Sequence, residues 1–159
     1  SIQYVSKTPL TGTPLECKKV LNEYRILNDL EEKVDIRNVA LYSHEGTAPL
    51  YLNSLDPGSN SFFKNNQHNF PTQADVKTIC MDDLDDDCIG HQAGVVIIKL
   101  DVEGSEVAVL RGAQKILHSH RKILLMVEDF VDPTVCQYLI ATGWHRALKK
   151  TPYNSFWTR

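Results

Sequence analysis

The chain has 159 residues, 42% of them hydrophobic and 23% charged. That length fits one cored domain and is too short for two, and the composition excludes a disordered chain. Lys and Arg number 17 against 20 Asp and Glu, a net charge of −3, so no basic excess points to nucleic acid as the main partner.

Residues 2–5 read as a short strand, followed by a turn-rich stretch over residues 6–12. A helix is expected from Thr13-Pro14-Leu15-Glu16, where Thr13 can cap, Pro14 suits the first helical position and Glu16 completes a capping box. Cys17, Val20, Leu21, Tyr24 and Leu27 then recur at helical spacing, with an end near residues 28–30. Residues 34–41 read as a strand, 43–46 as a turn and 48–52 as a second strand, so these two are expected to pair as a hairpin. Residues 56–69 form a long polar loop carrying Phe62 and Phe63, and residues 76–81 another strand.

Residues 94–100 are the clearest strand, a continuous β-branched run of the kind expected for a central strand covered on both faces. A helix over residues 105–117 follows, with Val107, Leu110, Gln114 and Leu117 on one face. Residues 123–127 are a second buried strand. Asp132-Pro133 opens a further helix that Gly143 ends. Residues 144–149 and 155–158 read as a closing hairpin packed by Trp144 and Trp157. Buried strands alternating with helices predict an α/β fold, a layered sheet with parallel strands at its centre.

The longest apolar run, residues 94–98, is far too short to span a bilayer, and no apolar segment follows a basic start near Ser1. Cys17, Cys80, Cys88 and Cys136 form no CxxC pair. Two disulfides are arithmetically open, but the simpler expectation is free, partly buried thiols in a cytoplasmic, reducing setting. Asp82, Asp83, Asp85, Asp86 and Asp87 lack the Gly and distal Glu of an EF-hand loop and read as a solvated turn or helix start. His118 and His120 suit a helix C-terminus, and no metal site is expected. Phe62, Phe63 and Phe70 read as packing onto the domain, with closure over a substrate as the alternative.

In open α/β sheets, ligands bind beyond the carboxyl ends of the strands. The strongest strand here ends in Lys99-Leu100-Asp101-Val102-Glu103-Gly104. Lys99 and Asp101 are two apart and share a face. Glu103 lies in the turn, and Gly104 lets the chain reverse into the next helix. A carboxylate at that place can orient a substrate hydroxyl, take its proton or hold a cationic ligand. The same residues can instead cap the helix and pair with Lys99, and the residues alone leave both roles open.

The run Ile98-Lys99-Leu100-Asp101-Val102-Glu103-Gly104-Ser105-Glu106, with Val109-Leu110-Arg111-Gly112-Ala113 after it, resembles the signature of the FkbM-type S-adenosylmethionine-dependent methyltransferases. Weaker matches keep the family's order: Leu27-Asn28-Asp29-Leu30, Asn38-Val39-Ala40-Leu41, Gly46-Thr47-Ala48-Pro49-Leu50-Tyr51, Ser59-Asn60-Ser61, Val76-Lys77-Thr78-Ile79, Met81-Asp82-Asp83-Leu84 and Leu125-Met126-Val127-Glu128. The resemblance implies a single methyltransferase-like domain over residues 1–159. It implies a Rossmann-like three-layer sandwich, with a mostly parallel sheet and a C-terminal antiparallel hairpin. It further implies S-adenosylmethionine as cofactor and methyl transfer to a hydroxyl of a small molecule or sugar. On that likeness Asn38, Val39 and Ala40 lie beside the adenine, and Lys99 and Asp101 near the methionine end. Asp101, Glu103 and Glu128 are the catalytic candidates, and Asn60 and Ser61 the substrate-binding ones.

Two family features have no counterpart. None of the 8 glycines forms a GxG turn, and Ser6-Lys7-Thr8-Pro9 stands where the family carries an acid for the ribose hydroxyls. The chain therefore reads as lacking the family's first strand. A longer parent chain, a second copy completing the sheet, or a rebuilt and inactive sheet would each account for this. Two functions stand side by side: an O-methyltransferase, or a methyltransferase-like binding or assembly module without catalysis.

Overall fold

The computed structural model describes residues 2–5, 14–53, 60–62, 72–84, 94–119, 122–129, 134–148 and 152–159. Their order is β1 (Ile2–Val5), α1 (Pro14–Leu27), β2 (Val34–Arg37), β3 (Ala40–Leu41), β4 (Gly46–Leu52), β5 (Thr72–Ile79), β6 (Val95–Leu100), α2 (Glu106–Arg111), α3 (Gln114–Leu117), β7 (Lys122–Glu128), α4 (Thr134–Ala141), β8 (His145–Leu148) and β9 (Asn154–Thr158). The expectations on residues 6–13, on most of the 56–69 loop with Phe63, and on Phe70, Asp85, Asp86, Asp87, His120 and Asp132-Pro133 lie outside the described residues.

Among the described residues the strands form three hydrogen-bonded groups, ordered β1-β2, β3-β5-β4 and β6-β7-β9-β8. Pairing is parallel in β1–β2, β3–β5 and β6–β7 and antiparallel in β4–β5, β7–β9 and β8–β9. The α/β class and the closing antiparallel hairpin match the expectation. The described sheet is half parallel rather than mostly parallel, because β4 and the closing hairpin each add antiparallel neighbours.

The expected strand over residues 34–41 is two strands with different partners. β2 joins β1, β3 joins β5, and Asn38 and Val39 make the step between them. The expected hairpin is corrected with it: β4 pairs with β5, from Gly46 opposite Thr78 to Leu52 opposite Thr72. A seven-residue ladder satisfies far more backbone groups than the two-residue β3 can offer, so β5 slots between β3 and β4.

The strand β6 is covered on one face, not both. Val96 and Ile98 pack against the main core, while Val95 and Ile97 are 55% and 71% exposed. Within its group β6 is an end strand, with β7 beside it.

The expected helix over residues 105–117 is broken into α2 and α3. Gly112 causes the break. A Cβ built on it would sit 2.1 Å from the Tyr42 carbonyl oxygen, so backbone meets backbone there. The Gly112 carbonyl accepts the Asp82 N–H at 3.0 Å. The Asp82 carboxylate in turn accepts the Lys115 and Ile116 N–H groups at 2.9 and 3.0 Å, which caps the new helix start. Asp82 thus serves as a helix cap delivered from 33 residues away.

The core lies between β6–β7–β9 and the helices α2, α3 and α4. Ile123, Leu125 and Val127 alternate inward along β7 and meet Leu110, Val135 and Leu139. Trp144 and Trp157 are buried as expected, and Arg146 stacks over the Trp157 ring at 5.0 Å. Each such side chain stabilises the fold by about 1.5–3 kcal/mol. Cys80 and Cys136 are free and partly buried. Among the described residues no helix is long and apolar enough to cross a membrane.

Gly112→Ala is expected to destabilise the domain by about 1–3 kcal/mol, since neither backbone can give way. Gly94→Ala, with nothing within 4 Å of the added carbon, should change stability by less than about 0.5 kcal/mol. Urea denaturation of both variants measures the contrast, and equal midpoints would refute the close approach.

Candidate active site

The site begins with strand register. β6 and β7 run parallel with Leu100 beside Val127, so the next step brings Asp101 alongside Glu128. Leu100 and Val127 are buried in the core, and alternation sends their successors to the other face. Past Asp101 the chain turns sharply. Glu103 and Gly104 have φ of 51° and 94°, both in the left-handed region. For Glu103 that conformation costs about 1–2 kcal/mol, which its surroundings must offset.

The offsets are visible. The Glu106 carboxylate accepts the Val102 and Gly104 N–H groups, each at 3.0 Å. Ser61 Oγ donates to the Glu103 carbonyl at 2.8 Å. The turn is therefore gripped from α2 on one side and from the 60–62 segment on the other.

This folding gathers acids. Carboxylate oxygens of Asp101, Glu103 and Glu128 all lie within 4.8 Å of one another. Three like charges at that spacing resist ionising together. Glu128 yields: its carboxyl is pushed up to about 7 from the ordinary 4.5. Burial contributes most, then a hydrogen bond shared with Asp101, then the charges of Asp101, Glu103 and Glu106. Lys99 Nζ pairs with Asp101 Oδ2 at 2.8 Å, as the two-residue spacing predicted. Both side chains are largely exposed, so the pair contributes at most about 1 kcal/mol. Glu128 Oε2 is buried and accepts no hydrogen bond in the structure. Such a group can take a proton from a hydroxyl near neutral pH, and the cluster as a whole suits a cationic ligand.

Of the residues singled out in the sequence, Lys99, Asp101, Glu103 and Glu128 come together. Asn60 and Ser61 lie behind them, buried to 2% and 5% exposure. Asn60 Oδ1 accepts the Asn53 N–H at 2.7 Å, and Ser61 exchanges backbone hydrogen bonds with Tyr51. Their described bonds brace the loop and the Glu103 turn. Asn38 and Val39 sit at the step between β2 and β3, and Ala40 opens β3; the carboxylate cluster is built without them. Sequence reasoning missed Glu106 as a separate group. Its one signal was an acid in the first helical turn directly after a glycine turn.

The pattern of the methyltransferase FkbM domain matches residues 13–139. The chain belongs to this family. The match spans α1 through most of α4 and includes the whole turn at Asp101–Gly104. The FkbM domain is also similar in structure to a methyltransferase FkbM from Methylobacillus flagellatus KT, with a TM-score of 0.58 and 14% sequence identity. At that identity the likeness concerns the fold alone. The alignment covers 99% of this chain and 36% of the solved chain, so it spans about a third of that protein. A comparison with curated proteins gives no match.

The Glu128 carboxyl also sets a stability dependence. Its folded value lies above its unfolded one, so its contribution is fully present below pH 4.5 and is lost as pH rises through about 7. Glu128→Gln should therefore gain stability on wild type between about pH 5 and about pH 8. Thermal melts of both proteins at the two pH values test this, and parallel losses would refute the raised value.

Proposed function

We propose that this FkbM domain is an S-adenosylmethionine-dependent O-methyltransferase acting on a hydroxyl of a small molecule or sugar, on a Rossmann-like three-layer frame. The observation that carries the reading is the meeting of Asp101, Glu103 and Glu128 past the ends of β6 and β7, one of them poised to change protonation near neutral pH.

The residues fit the cofactor's charge. A cluster of three acids with a buried, partnerless oxygen on Glu128 is relieved by a cationic ligand. Asp101 and Lys99 would hold the methionine end, and Asn38, Val39 and Ala40 would face the adenine. Bound S-adenosylmethionine supplies a methyl group on a positively charged sulfur. The protein's part is to hold the acceptor oxygen in line and to remove its proton. Glu128 would be the base, its carboxylate accepting the proton of the acceptor hydroxyl. Asp101, paired with Lys99 at 2.8 Å, orients that hydroxyl. Glu103 keeps the proton affinity of Glu128 high. Asn60 and Ser61 shape the acceptor side by holding the turn.

A methyltransferase-like module without catalysis is the second reading, favoured by the absence of a GxG among the 8 glycines. Calorimetric titration with S-adenosylmethionine and its demethylated product separates the two. Micromolar binding, weakened about 10–100-fold by Asp101→Ala, is the result expected of the enzyme. No binding by the folded domain would favour the module. With an acceptor in hand, the transfer rate should rise through about pH 7 and fall about 10²–10⁴-fold in Glu128→Gln.

A further inference from the structure

We infer that Glu106 is the positioning residue of this site: its buried carboxylate holds the Asp101–Gly104 turn in the shape that carries Asp101 and Glu103 to Glu128. The inference rests on reading those three acids as the working groups, and it adds a fourth acid with a different task.

Glu106 is wholly buried, at 0% exposure, on a helix whose other buried residues are Val109 and Leu110. A carboxylate there is costly unless its oxygens are engaged. Packing alone would favour Leu or Met. The two oxygens instead meet two donors, the N–H groups of Val102 and Gly104, which flank Glu103 on either side. Neither donor has a helical partner, because both precede α2. Glu103, which lies between them, and Gly104, the second donor, are the two left-handed residues of the turn. The conformation that aims the acids is thus the one that presents both N–H groups to a single carboxylate.

The match requires glutamate. Glutamine has one acceptor oxygen, and its amide would set N–H against N–H at the other donor. Aspartate keeps both oxygens and the charge but is one methylene short of the pair. Glu106 is closed to solvent and each of its oxygens accepts a backbone N–H, so it positions rather than reacts. Its charge also adds to those of Asp101 and Glu103 in raising Glu128.

The test is amide NMR on the whole 159-residue chain, without cofactor or acceptor. In wild type the Val102 and Gly104 amide protons should lie downfield and exchange slowly, and the Glu103 backbone coupling should report a positive φ. In Glu106→Gln at least one of the two amides should exchange at least about 10-fold faster. In Glu106→Asp the same loss should appear although the charge is kept. The Val109 and Gly112 amides, bonded to the Ser105 and Ala108 carbonyls, should be unchanged in both variants. A merely structural role would speed them all together. Fast exchange of Val102 and Gly104 in wild type, or full protection in Glu106→Asp, overturns the inference, and the first of these needs no variant to fold. Wild type that holds the turn but binds no S-adenosylmethionine supports the role of Glu106 while removing the methyltransferase reading.

Discussion

The parallel pairing of β6 with β7 is the constraint on which the site depends. Its register sets Leu100 beside Val127 inside the core and brings the two chain ends out together. Once Leu125 and Val127 are buried on β7, Glu128 has little freedom in where it emerges, and the same holds for Asp101 after Leu100. A one-residue slip of either strand would turn its acid toward the core and its apolar residue out, so the hydrophobic pattern that stabilises the sheet also places the chemistry.

Electrostatics follows from that placement. Acids within 4.8 Å cannot all ionise cheaply, and partial burial of Glu128 makes it the one that keeps a proton. Lys99 pairs with Asp101 at the solvent side of the cluster. A carboxyl whose proton affinity is raised toward neutral pH is what proton transfer from a hydroxyl asks for. The turn that completes the cluster is held by Glu106 and Ser61, which bond the same few peptides from opposite sides.

The elements legible in the sequence are those set by local rules. Helical spacing marked α1, a β-branched run marked β6, and two short stretches carrying Trp144 and Trp157 marked the closing hairpin. The pairing of β4 with β5 was not legible, because residues 46 and 78 meet across a span that no local pattern specifies. Nor was the break at Gly112, whose cause is the backbone of Tyr42 some 70 residues earlier. The run at residues 94–100 looked fully buried because Val and Ile signal strand without saying which face is covered; Val95 and Ile97 lie open.

For the site, Asp101 and Glu103 could be read from a strand end and a glycine turn, which are adjacent in the chain. Glu128 was known from the family likeness alone, since nothing local ties it to Asp101. Glu106 stood in the sequence only as the last residue of the signature run, and the structure buries it. By itself the sequence determined the α/β class, the family and the acids carried on the Asp101–Gly104 turn, because these follow from patterns within a few residues of one another. The tertiary structure alone decided that Glu128 joins them, that its proton affinity is raised toward neutral pH and that Glu106 faces the backbone. Burial and mutual repulsion exist only once distant strands have packed side by side.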